Sequence, residues 1–321
     1  MENQSDIGFD VVVVGGGAAG LSAALVLGRS RRSVVVVDDG RPRNAPASAA
    51  HGFLTRDGTP PHHLRALARG ELEPYGVQFV DGTVEDATEE PDGWCMTTTG
   101  GRTLRGRQLV LASGLRDILP ELPGAQESWG RGLLQCPYCH GWEVRDQALG
   151  VLGAAATSIQ QALLLRQWSA DVTYFPTAAV EPSTDDRRRL QARGIRIASE
   201  RAAALVLGRD DGGGPRPLAG VRLDDGRVVP CDALFCEPGS TADSALITAL
   251  GCELREDGCV LTDAIGRTSV RSTWAVGNAA DPAAQLMPAA GDAYRVAAAV
   301  NAILVEEDCA MDAEIAVHQE T

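Results

Sequence analysis

The chain has 321 residues, 44% apolar and 22% charged, which is the balance of a globular protein with room for two domains. Its formal net charge of −14 offers no basic surface to neutralise phosphates, so we exclude nucleic acid as a partner. The N-terminal residues lack the basic and apolar regions of a signal peptide, and no apolar run there is long enough to span a membrane, so we expect a cytoplasmic protein with no membrane partner.

The first predicted unit is a strand, a glycine-rich turn, a helix and a second strand. The β-branched run at 10–14 leads into Gly-Gly-Gly-Ala-Ala-Gly at 15–20, which fits G-x-G-x-x-G. An Ala- and Leu-rich stretch at 21–29 predicts a helix, and the valines at 34–37 predict a strand that ends at Asp38. This order, with an acid closing the second strand, is typical of a dinucleotide-binding βαβ unit.

Each part of this unit has a physical task in binding a dinucleotide. Gly15 permits the tight turn, Gly17 lets the backbone approach a pyrophosphate, and Gly20 lets the helix pack closely on the strand. The helix N-terminus supplies N–H groups and positive dipole potential, and Asp38 accepts hydrogen bonds from ribose hydroxyls. The candidate cofactor-binding residues here are Gly15, Gly17, Ala18, Ala19, Gly20, Asp38 and Asp39.

Cys136 and Cys139 form a C-x-x-C pair in the middle of the chain. This spacing allows a disulfide within one turn and can lower the pKa of one thiol. The alternatives are an inert structural pair and half of a zinc site, which needs a second cysteine pair. We favour redox use and predict no metal. The other six cysteines are expected to be buried thiols: Cys95, Cys231, Cys236, Cys252, Cys259 and Cys309.

A strand–turn–helix pattern lies near the C-terminus. The short apolar strand at 273–276 ends at Gly277 and Asn278, a small-residue segment follows at 288–291, and the run at 293–304 predicts a helix. A strand that closes on a helix N-terminus can place N–H groups at the edge of a flavin. Composition alone fits an ordinary strand–turn–helix unit equally well.

Taken together, these motifs resemble the low-molecular-weight, bacterial-type thioredoxin reductases over nearly the whole chain. The resemblance implies an α/β fold with two Rossmann-like dinucleotide-binding domains. An FAD-binding domain would comprise residues 1–115 and 243–321, and a nicotinamide-type domain at 116–242 would carry the cysteines. The resemblance also implies FAD as the cofactor and a homodimer. The residues that carry it are Gly15–Gly20, Asp38, Ala112-Ser113-Gly114, Cys136–Cys139 and Gly277-Asn278.

The resemblance assigns roles to individual residues of this chain. Gly277 and Asn278 would contact the ribityl–phosphate region of the flavin, and Gln285 and Ala289 would lie near the isoalloxazine ring. Cys139 would face the flavin, and Cys136 would exchange with the substrate. The further candidate cofactor-binding residues are Asn44, Ala112, Gly114 and Leu286.

The chain departs from those reductases at the expected NADPH site. Of the second glycine-rich turn only Gly153 remains, because Ala155 stands where a pyrophosphate would approach and Ser158 replaces the small third residue. The strand at 172–175 ends in Pro-Thr-Ala-Ala, without the cations that hold a 2′-phosphate. We therefore expect the NADPH preference to be lost, unless the arginines at 187–189 fold back to replace those cations.

The sequence Cys-Pro-Tyr-Cys-His-Gly-Trp-Glu at 136–143 is similar to that of natural-product dithiol oxidases. Those enzymes close the disulfides of holomycin-type, gliotoxin-type and romidepsin-type compounds with FAD and O2. The resemblance implies that this chain oxidises a small-molecule dithiol to an intramolecular disulfide, with H2O2 as the second product. His140 is the candidate general base or acid, or else a residue that orients its neighbours. His51 either lines the substrate cleft or is an ordinary surface histidine.

Three other functions stay open from the sequence. A disulfide reductase fed by NADPH or ferredoxin would reverse the electron flow. A flavin-binding redox sensor would hold reactive dithiols without turnover. A zinc-binding scaffold is the remaining alternative.

Overall fold

The computed structural model of the chain describes residues 7–209, 216–242 and 245–319. The chain divides into two compact units. Unit 1 draws on Met1–Arg43, His62–Arg116 and Thr241–Thr321, and unit 2 on Asn44–Pro61 and Asp117–Ser240. The breaks after residues 116 and 240 lie within two residues of those expected from the sequence. Residues 44–61, expected in the first domain, group with unit 2.

The described residues contain seventeen strands. Their bounds are β1 (Ile7–Val14), β2 (Val34–Asp38), β3 (Gln78–Asp81), β4 (Val84–Glu90), β5 (Gly93–Thr98), β6 (Thr103–Leu111), β7 (Arg116–Ile118), β8 (Leu133–Leu134), β9 (Leu149–Leu152), β10 (Val172–Phe175), β11 (Arg196–Ile197), β12 (Ala202–Leu207), β13 (Leu218–Leu223), β14 (Val228–Pro230), β15 (Ala233–Phe235), β16 (Gly239–Thr241) and β17 (Thr273–Ala275).

Eight α-helices and two 3₁₀ turns complete the described structure. The helices are α1 (Ala18–Arg29), α2 (Pro61–Leu72), α3 (Ala125–Ser128), α4 (Pro137–His140), α5 (Ser158–Leu165), α6 (Thr184–Ala192), α7 (Ala245–Leu250) and α8 (Leu286–Gln319). The 3₁₀ turns are Glu73–Tyr75 and Gly277–Ala279. None of the helices in the described ranges combines the length and apolar character that crossing a membrane requires.

The sheet of unit 1 has the strand order β3-β2-β1-β6-β5-β4, and β17 pairs with the end of β6. Strands β1, β2, β3, β6 and β17 are parallel, whereas β4 and β5 form an antiparallel extension. Parallel strands pair through crossover connections, and α1 supplies the one between β1 and β2. The carboxyl ends of β1, β2, β6 and β17 therefore meet at one edge of the sheet, where α1 begins.

The valine runs of β1 and β2 are buried on both faces of this sheet. Val11 and Val13 join a core with α1 and α8, while Val12 and Val14 join a second core with the antiparallel strands and α7. Because successive side chains of a strand point to opposite faces, a strand covered on both sides is apolar throughout. This burial explains why the two runs lack the apolar–polar alternation of a half-exposed strand.

Unit 2 contains a fully parallel sheet with the order β11-β10-β9-β15-β8. One core lies between this sheet and α5, α6 and neighbouring residues, and a second includes the antiparallel strands β12–β14. A separate two-stranded sheet pairs β7 with β16. The predicted α/β fold with two Rossmann-like domains is confirmed.

Several local expectations require correction. Helix α1 begins at Ala18, three residues before the predicted start, and α8 begins at Leu286 rather than at residue 293. Pro288 is tolerated as the third residue of α8 because an N–H in the first helical turn has no intrahelical acceptor. Cys309 is exposed and Cys95 partly exposed, although both were expected to be buried. Cys309 lies on α8 beyond Leu304, the last residue of that helix in the core.

Candidate active site

The glycine-rich turn of unit 1 is shaped by two close approaches between backbone segments. Gly15 has a φ of +109°, and a Cβ there would lie 2.2 Å from the carbonyl oxygen of Ala112. A Cβ on Gly20 would lie 1.9 Å from the carbonyl oxygen of Gly15. The predicted tasks of these glycines, a tight turn and close helix–strand packing, therefore match the geometry that requires them.

Gly17 differs from its neighbours because it faces open space. It is the residue before α1, and a Cβ there would have no heavy atom within 4 Å. The first turn of α1 carries no acidic residue, and its N–H groups have no partner within the helix. Space, N–H donors and positive dipole potential thus coincide where a pyrophosphate was predicted, and this cradle fits the pyrophosphate of FAD.

The acidic end of β2 is already engaged with cations. Oδ2 of Asp38 lies 2.5 Å from Nη2 of Arg65, and both side chains are largely buried. Oδ1 of Asp39 accepts a hydrogen bond from the backbone N–H of Arg41 at 3.0 Å, and its Oδ2 accepts one from Nε of the same residue. Asp38 is therefore a fixed carboxylate beside the turn, whereas Asp39 stabilises the loop that follows β2.

Three small residues from different parts of the sequence meet beside this turn. Gly277 has a φ of +62°, and a Cβ there would lie 2.7 Å from Cβ of Ala19 and 3.7 Å from Cβ of Ala289. Ala19 is in the first turn of α1 and Ala289 is in the first turn of α8. The C-terminal segment predicted to contact a flavin thus packs directly on the first dinucleotide-binding turn.

Asn278 has a structural task in addition to its predicted one. Its side-chain amide donates to the carbonyl oxygens of Asp281 at 2.9 Å, Pro282 at 3.3 Å and Ala284 at 3.0 Å. The amide therefore holds the loop that leads to α8. Any contact of Asn278 with the flavin would therefore involve atoms other than its side-chain amide nitrogen.

The other predicted cofactor-binding residues lie in loops and at helix starts. Gln285 directly precedes α8, which begins at Leu286. Gly114 follows β6 with a φ of +73°. Asn44 lies at the start of the segment that groups with unit 2, and its carbonyl oxygen accepts from the N–H of Ala47. The roles predicted for these residues stay predictions.

The cysteine pair of unit 2 is held in a single helical turn. The carbonyl oxygen of Cys136 accepts hydrogen bonds from the N–H of Cys139 at 3.1 Å and of His140 at 3.2 Å. Pro137 is buried as the first residue of α4, where its missing N–H costs no hydrogen bond. Both cysteines are partly exposed. This turn places the two thiols three residues apart on one side of the helix, the arrangement that a C-x-x-C disulfide needs.

Contacts from neighbouring elements position this turn. Nε2 of Gln161 on α5 donates to the carbonyl oxygen of Gln135, the residue before the first cysteine, at 2.7 Å. The rings of Tyr138 and Trp168 pack edge to face with centroids 5.7 Å apart. Tyr138 is nevertheless 72% exposed and Trp142 is 65% exposed. Two aromatic surfaces therefore flank the cysteines and face solvent in unit 2.

His140 lies in an unusual environment for an imidazole. Both of its ring nitrogens are buried, and neither has a hydrogen-bond partner among the described residues. Burial lowers the pKa of His140 below its ordinary value of 6.5, and His51 acts in the same direction. Glu143 and the backbone of Cys136 oppose this shift without reversing it. The imidazole is therefore neutral near pH 7, and one of its nitrogens can accept a proton.

His51, Asp57 and Glu143 form a polar cluster in unit 2. Nδ1 of His51 lies 3.4 Å from Oδ2 of Asp57, and its Nε2 lies 3.4 Å from Oε1 of Glu143. The backbone N–H of Gly52 donates to the other oxygen of Asp57 at 2.8 Å, which is the main cause of the lowered pKa of that carboxyl. His51 is therefore not an isolated surface residue, because it joins the loop at 44–61 to the residues that follow α4.

The remaining buried cysteines differ chemically from the pair in α4. Burial raises the pKa of Cys231 and of Cys236 to about 12, and that of Cys259 to about 11. Such thiols stay protonated at neutral pH and are poor nucleophiles. Within the described ranges, no group of three or more His, Cys, Asp or Glu residues is arranged to hold a metal ion.

The second glycine-rich turn is closed by its own side chains. The N–H of Ala155 donates to Oγ of Ser158 at 3.1 Å, and the carbonyl oxygen of Gly153 accepts from Oγ1 of Thr177 at 2.5 Å. The hydroxyl of Thr157 donates to the carboxylate of Glu237. The backbone N–H of Ala155, which a pyrophosphate would use as a donor, is thus occupied. The carboxylate of Glu237 also places a negative charge at the turn. Both features oppose a dinucleotide there.

The arginines of α6 do not replace the missing cations of that site. Arg187 is paired with Glu181, whereas Arg188 and Arg189 pair with acids one turn earlier on the same helix. The helix begins with a capping box in which Ser183 and Asp186 bond each other's backbone N–H groups. These side chains form a solvated ionic helix face, as the flanking acids indicate.

The structure adds residues that sequence reasoning did not select. Arg65 lies 27 residues from Asp38, and Glu237 lies 80 residues from Thr157, so no local pattern marks these two contacts. Asp57 lies only six residues from His51, but the loop that holds both has no periodic pattern that would mark the contact. Glu143 is different, because His140-Gly-Trp-Glu143 has the i, i+3 spacing at which side chains meet on a helical turn. That spacing was the available signal for a carboxylate whose charge acts on His140.

Comparison with protein families gives a match over most of the chain. Residues 9–299 match the model described as pyridine nucleotide-disulphide oxidoreductase. The thioredoxin reductase sirT of Leptosphaeria maculans is 32% identical over 309 residues, covering 91% of this chain and 93% of sirT. The thioredoxin reductase tcpT of Claviceps purpurea is 29% identical over 280 residues, covering 84% and 86% of the two chains.

Two solved structures extend this similarity to the fold. The crystal structure of HlmI superposes with a TM-score of 0.90 at 44% identity, over 100% of this chain and 99% of HlmI. An oxidoreductase from Agrobacterium tumefaciens superposes with a TM-score of 0.85 at 36% identity, over 93% and 99% of the two chains. The resemblance to thioredoxin-reductase-like flavoproteins that the motifs indicated is confirmed, and with it FAD as the cofactor.

Proposed function

Because the chain belongs to the pyridine nucleotide-disulphide oxidoreductase family, we propose that it is an FAD-dependent oxidase of small-molecule dithiols. In this reaction a dithiol becomes an intramolecular disulfide and O2 becomes H2O2. The substrate is proposed to be a natural-product precursor, in line with the similarity of residues 136–143 to dithiol oxidases.

The observation that carries this proposal is the contrast between the two glycine-rich turns. Gly17 leaves the first turn open for a pyrophosphate, whereas Ser158 and Glu237 close the second from within. A reductase that takes its electrons from NADPH needs both turns, one for FAD and one for the nicotinamide donor. With only the first turn suited to a dinucleotide, the dithiol itself becomes the electron source.

The cysteine pair exchanges disulfides with the substrate in two steps that conserve electrons. A substrate thiolate attacks the sulfur of Cys136 in the Cys136–Cys139 disulfide, forming a mixed disulfide and releasing Cys139 as a thiolate. The second substrate thiolate attacks the substrate sulfur of the mixed disulfide, and Cys136 leaves. The product disulfide has lost two electrons and two protons, and the cysteine pair has gained them.

His140 takes part as the group that holds and moves the thiol proton. Its neutral, buried imidazole accepts a proton when a substrate thiol is deprotonated and returns it when a cysteine thiolate is protonated. Gly17, Asp38 and Gly277 would hold FAD, which would accept two electrons from the reduced cysteine pair and pass them to O2.

The names of the relatives favour a second candidate. Both sirT and tcpT are called thioredoxin reductases, and a reductase would pass electrons from a donor to a disulfide. Ferredoxin-fed reduction is compatible with a closed nicotinamide turn. The two directions of electron flow differ in which reactant reduces the flavin.

The test is to mix the purified flavoprotein with dithiothreitol in air and without NADPH. We expect O2 uptake, with one H2O2 formed for each dithiol oxidised, and bleaching of the flavin absorbance when O2 is removed. Absence of O2 uptake combined with rapid bleaching by NADPH or reduced ferredoxin would establish the reductase direction instead.

Cysteine variants provide the matched comparison. Cys136→Ser should abolish turnover while leaving the bound flavin yellow, whereas Cys309→Ser, which alters an exposed cysteine on α8, should keep wild-type turnover. In a redox sensor, the flavin absorbance would bleach once with the dithiol, and the protein would not turn over repeatedly in air. We also propose a homodimer, which light scattering of the eluting protein tests directly.

A further inference from the structure

The polar cluster of His51, Asp57 and Glu143 takes no direct part in the disulfide exchange between the substrate and the cysteine pair. Glu143 is one helical turn beyond His140, and it influences both histidines: it contacts His51 and acts electrostatically on His140. All four residues belong to unit 2, as do the two cysteines. Glu143 therefore contacts the half-buried His51 and acts through its charge on the buried histidine next to Cys139.

We propose that His51 is a positioning residue that, by engaging Glu143, withholds this carboxylate from His140 and keeps the His140 imidazole ready to accept a thiol proton. This inference deepens the proposed function and rests on it for the identity of the proton donor. The arrangement on which it stands is the placement of His51 between two carboxylates, each 3.4 Å from one of its ring nitrogens.

The contacts of His51 fix its ring between two carboxylates. Nδ1 faces Asp57 and Nε2 faces Glu143, each at 3.4 Å. Asp57 is itself fixed by the N–H of Gly52, so the position of His51 is set by the loop as well as by Glu143.

The charged groups around His140 are few, which makes their effects separable. Helix α5, which packs against α4, carries no ionisable side chain between Ser158 and Leu165. Arg145 lies over the ring of Trp142 and donates to its carbonyl oxygen. Glu143 and His51 are the side chains whose charges act on the His140 imidazole, in opposite directions, with Asp57 behind His51.

The proton balance follows from this arrangement. When the substrate thiol loses its proton, His140 gains one and becomes cationic, and the negative charge of Glu143 stabilises this cation. When Cys139 leaves as a thiolate, His140 returns the proton and becomes neutral again. A Glu143 paired only with His140 would favour the cation before substrate arrives. The contact with His51 weakens the effect of Glu143 on His140. The His140 imidazole therefore stays neutral and able to accept a proton.

Two substitutions should move the titration of His140 in opposite directions. His51→Gln removes the competing partner of Glu143, so the pKa of His140 should rise. Glu143→Gln removes the carboxylate, so the pKa of His140 should fall. The readout is the pH titration of the imidazole NMR signals of the flavoprotein. The chain has only five histidines, and the His140 signal is assigned by its loss in His140→Asn.

The rate of flavin reduction by dithiothreitol without O2 gives a second readout. In His51→Gln the rate at pH 5.5 should fall roughly threefold or more, with little change at pH 8, because each unit of pKa shift changes the neutral fraction up to tenfold. A purely structural defect would lower the rate at every pH. His62→Gln, an exposed histidine on α2, is the matched control and should leave both readouts unchanged.

Asp57→Asn changes the same cluster at an exposed position, where a folding defect is not expected. Asp57 is well exposed, so this variant should fold normally, and because it keeps both His51 and Glu143 it should move the His140 titration less than His51→Gln does. A His140 titration that stays unmoved in His51→Gln, or that moves in the same direction in His51→Gln and Glu143→Gln, would overturn the proposal. Because the NMR titration needs no turnover, its result is independent of whether the oxidase assay succeeds.

Discussion

Asp38 and Arg65 form an ion pair at the mouth of the first glycine-rich turn, with Oδ2 of the acid 2.5 Å from Nη2 of the arginine. A Cβ on Gly16 would lie 2.5 Å from the same oxygen, so the carboxylate stands directly over the turn. The pair thus holds in place the group predicted to bind the ribose of FAD, before any ligand arrives. Such preorganisation spares the ligand the entropy of ordering that side chain.

We expect Asp38→Asn to weaken FAD binding by about 1.5–3 kcal/mol, the usual contribution of a hydrogen bond to a charged group. The amide accepts more weakly and leaves Arg65 without its counter-charge. Fluorescence titration of the apoprotein with FAD measures the change. Asp81→Asn is the matched control, because Asp81 lies beside Asp38 on the neighbouring strand β3, pairs with Arg69 of α2 and is 88% exposed. Equal losses in the two variants would contradict a specific role for Asp38.

Substitutions at two glycines of the same turn should separate cofactor binding from folding. Gly20→Ala drives a methyl into the carbonyl of Gly15, so the apoprotein should lose about 1–3 kcal/mol of stability and its flavin as well. Gly17→Ala meets no atom of the protein, so the apoprotein should keep its thermal midpoint while FAD affinity collapses. Thermal unfolding and flavin retention of both variants check this. If Gly17→Ala keeps wild-type FAD affinity, the prediction that the pyrophosphate of FAD lies next to Gly17 is wrong.

The lowered pKa of His140 should make stability depend on pH on the acidic side. In the unfolded chain the imidazole binds a proton as the pH falls through 6.5, while in the folded protein burial delays protonation to lower pH. In that window the unfolded state binds more protons, so stability falls as the pH falls. The drop in thermal midpoint from pH 7.5 to pH 5.5 should therefore be smaller in His140→Asn than in the wild type. A drop of equal size in both proteins would show that His140 is already protonated when folded.

Arg107 should stabilise unit 1 more than a typical surface arginine does. Its guanidinium contacts Asp308 at 2.7 Å and Glu307 at 2.9 Å, which connects β6 to α8. Burial acts to lower the pKa of Arg107, but these two carboxylates outweigh it and raise that pKa. Arg107→Met should lower the thermal midpoint by about 2–4 °C, corresponding to about 1 kcal/mol. Arg105→Met, which alters a more exposed pair with Glu90 on the same strand, should cost less.

The first dinucleotide-binding unit was predictable because its signals are local. The valine runs, Gly15–Gly20 and Asp38 are adjacent in sequence, and each is required by backbone geometry or by burial on both faces. The helix starts were less accurate, because the first turns of α1 and α8 contain residues such as Ala18 and Pro288 that give no apolar stripe. The grouping of residues 44–61 with unit 2 had no local signal, since it depends on long-range contacts.

The candidate site was predictable at the cysteines but not around them. Spacing alone marks Cys136 and Cys139, and their neighbour His140 is visible at once. The contact of His51 with Glu143 joins residues 92 positions apart in the chain, and that of Thr157 with Glu237 joins residues 80 apart. Such pairs follow from the tertiary fold, which places the loops of one unit together after the strands have assembled.

The closed turn at Gly153–Ser158 has a consequence for how this protein responds to its surroundings. A site already satisfied by its own side chains gains nothing from a ligand, so millimolar NADPH or NADP⁺ should leave the melting temperature of the protein where it is. On the proposed function, turnover is then uncoupled from the metabolic state of the nicotinamide pool. The rate of turnover then depends only on the concentrations of reduced substrate and dissolved oxygen.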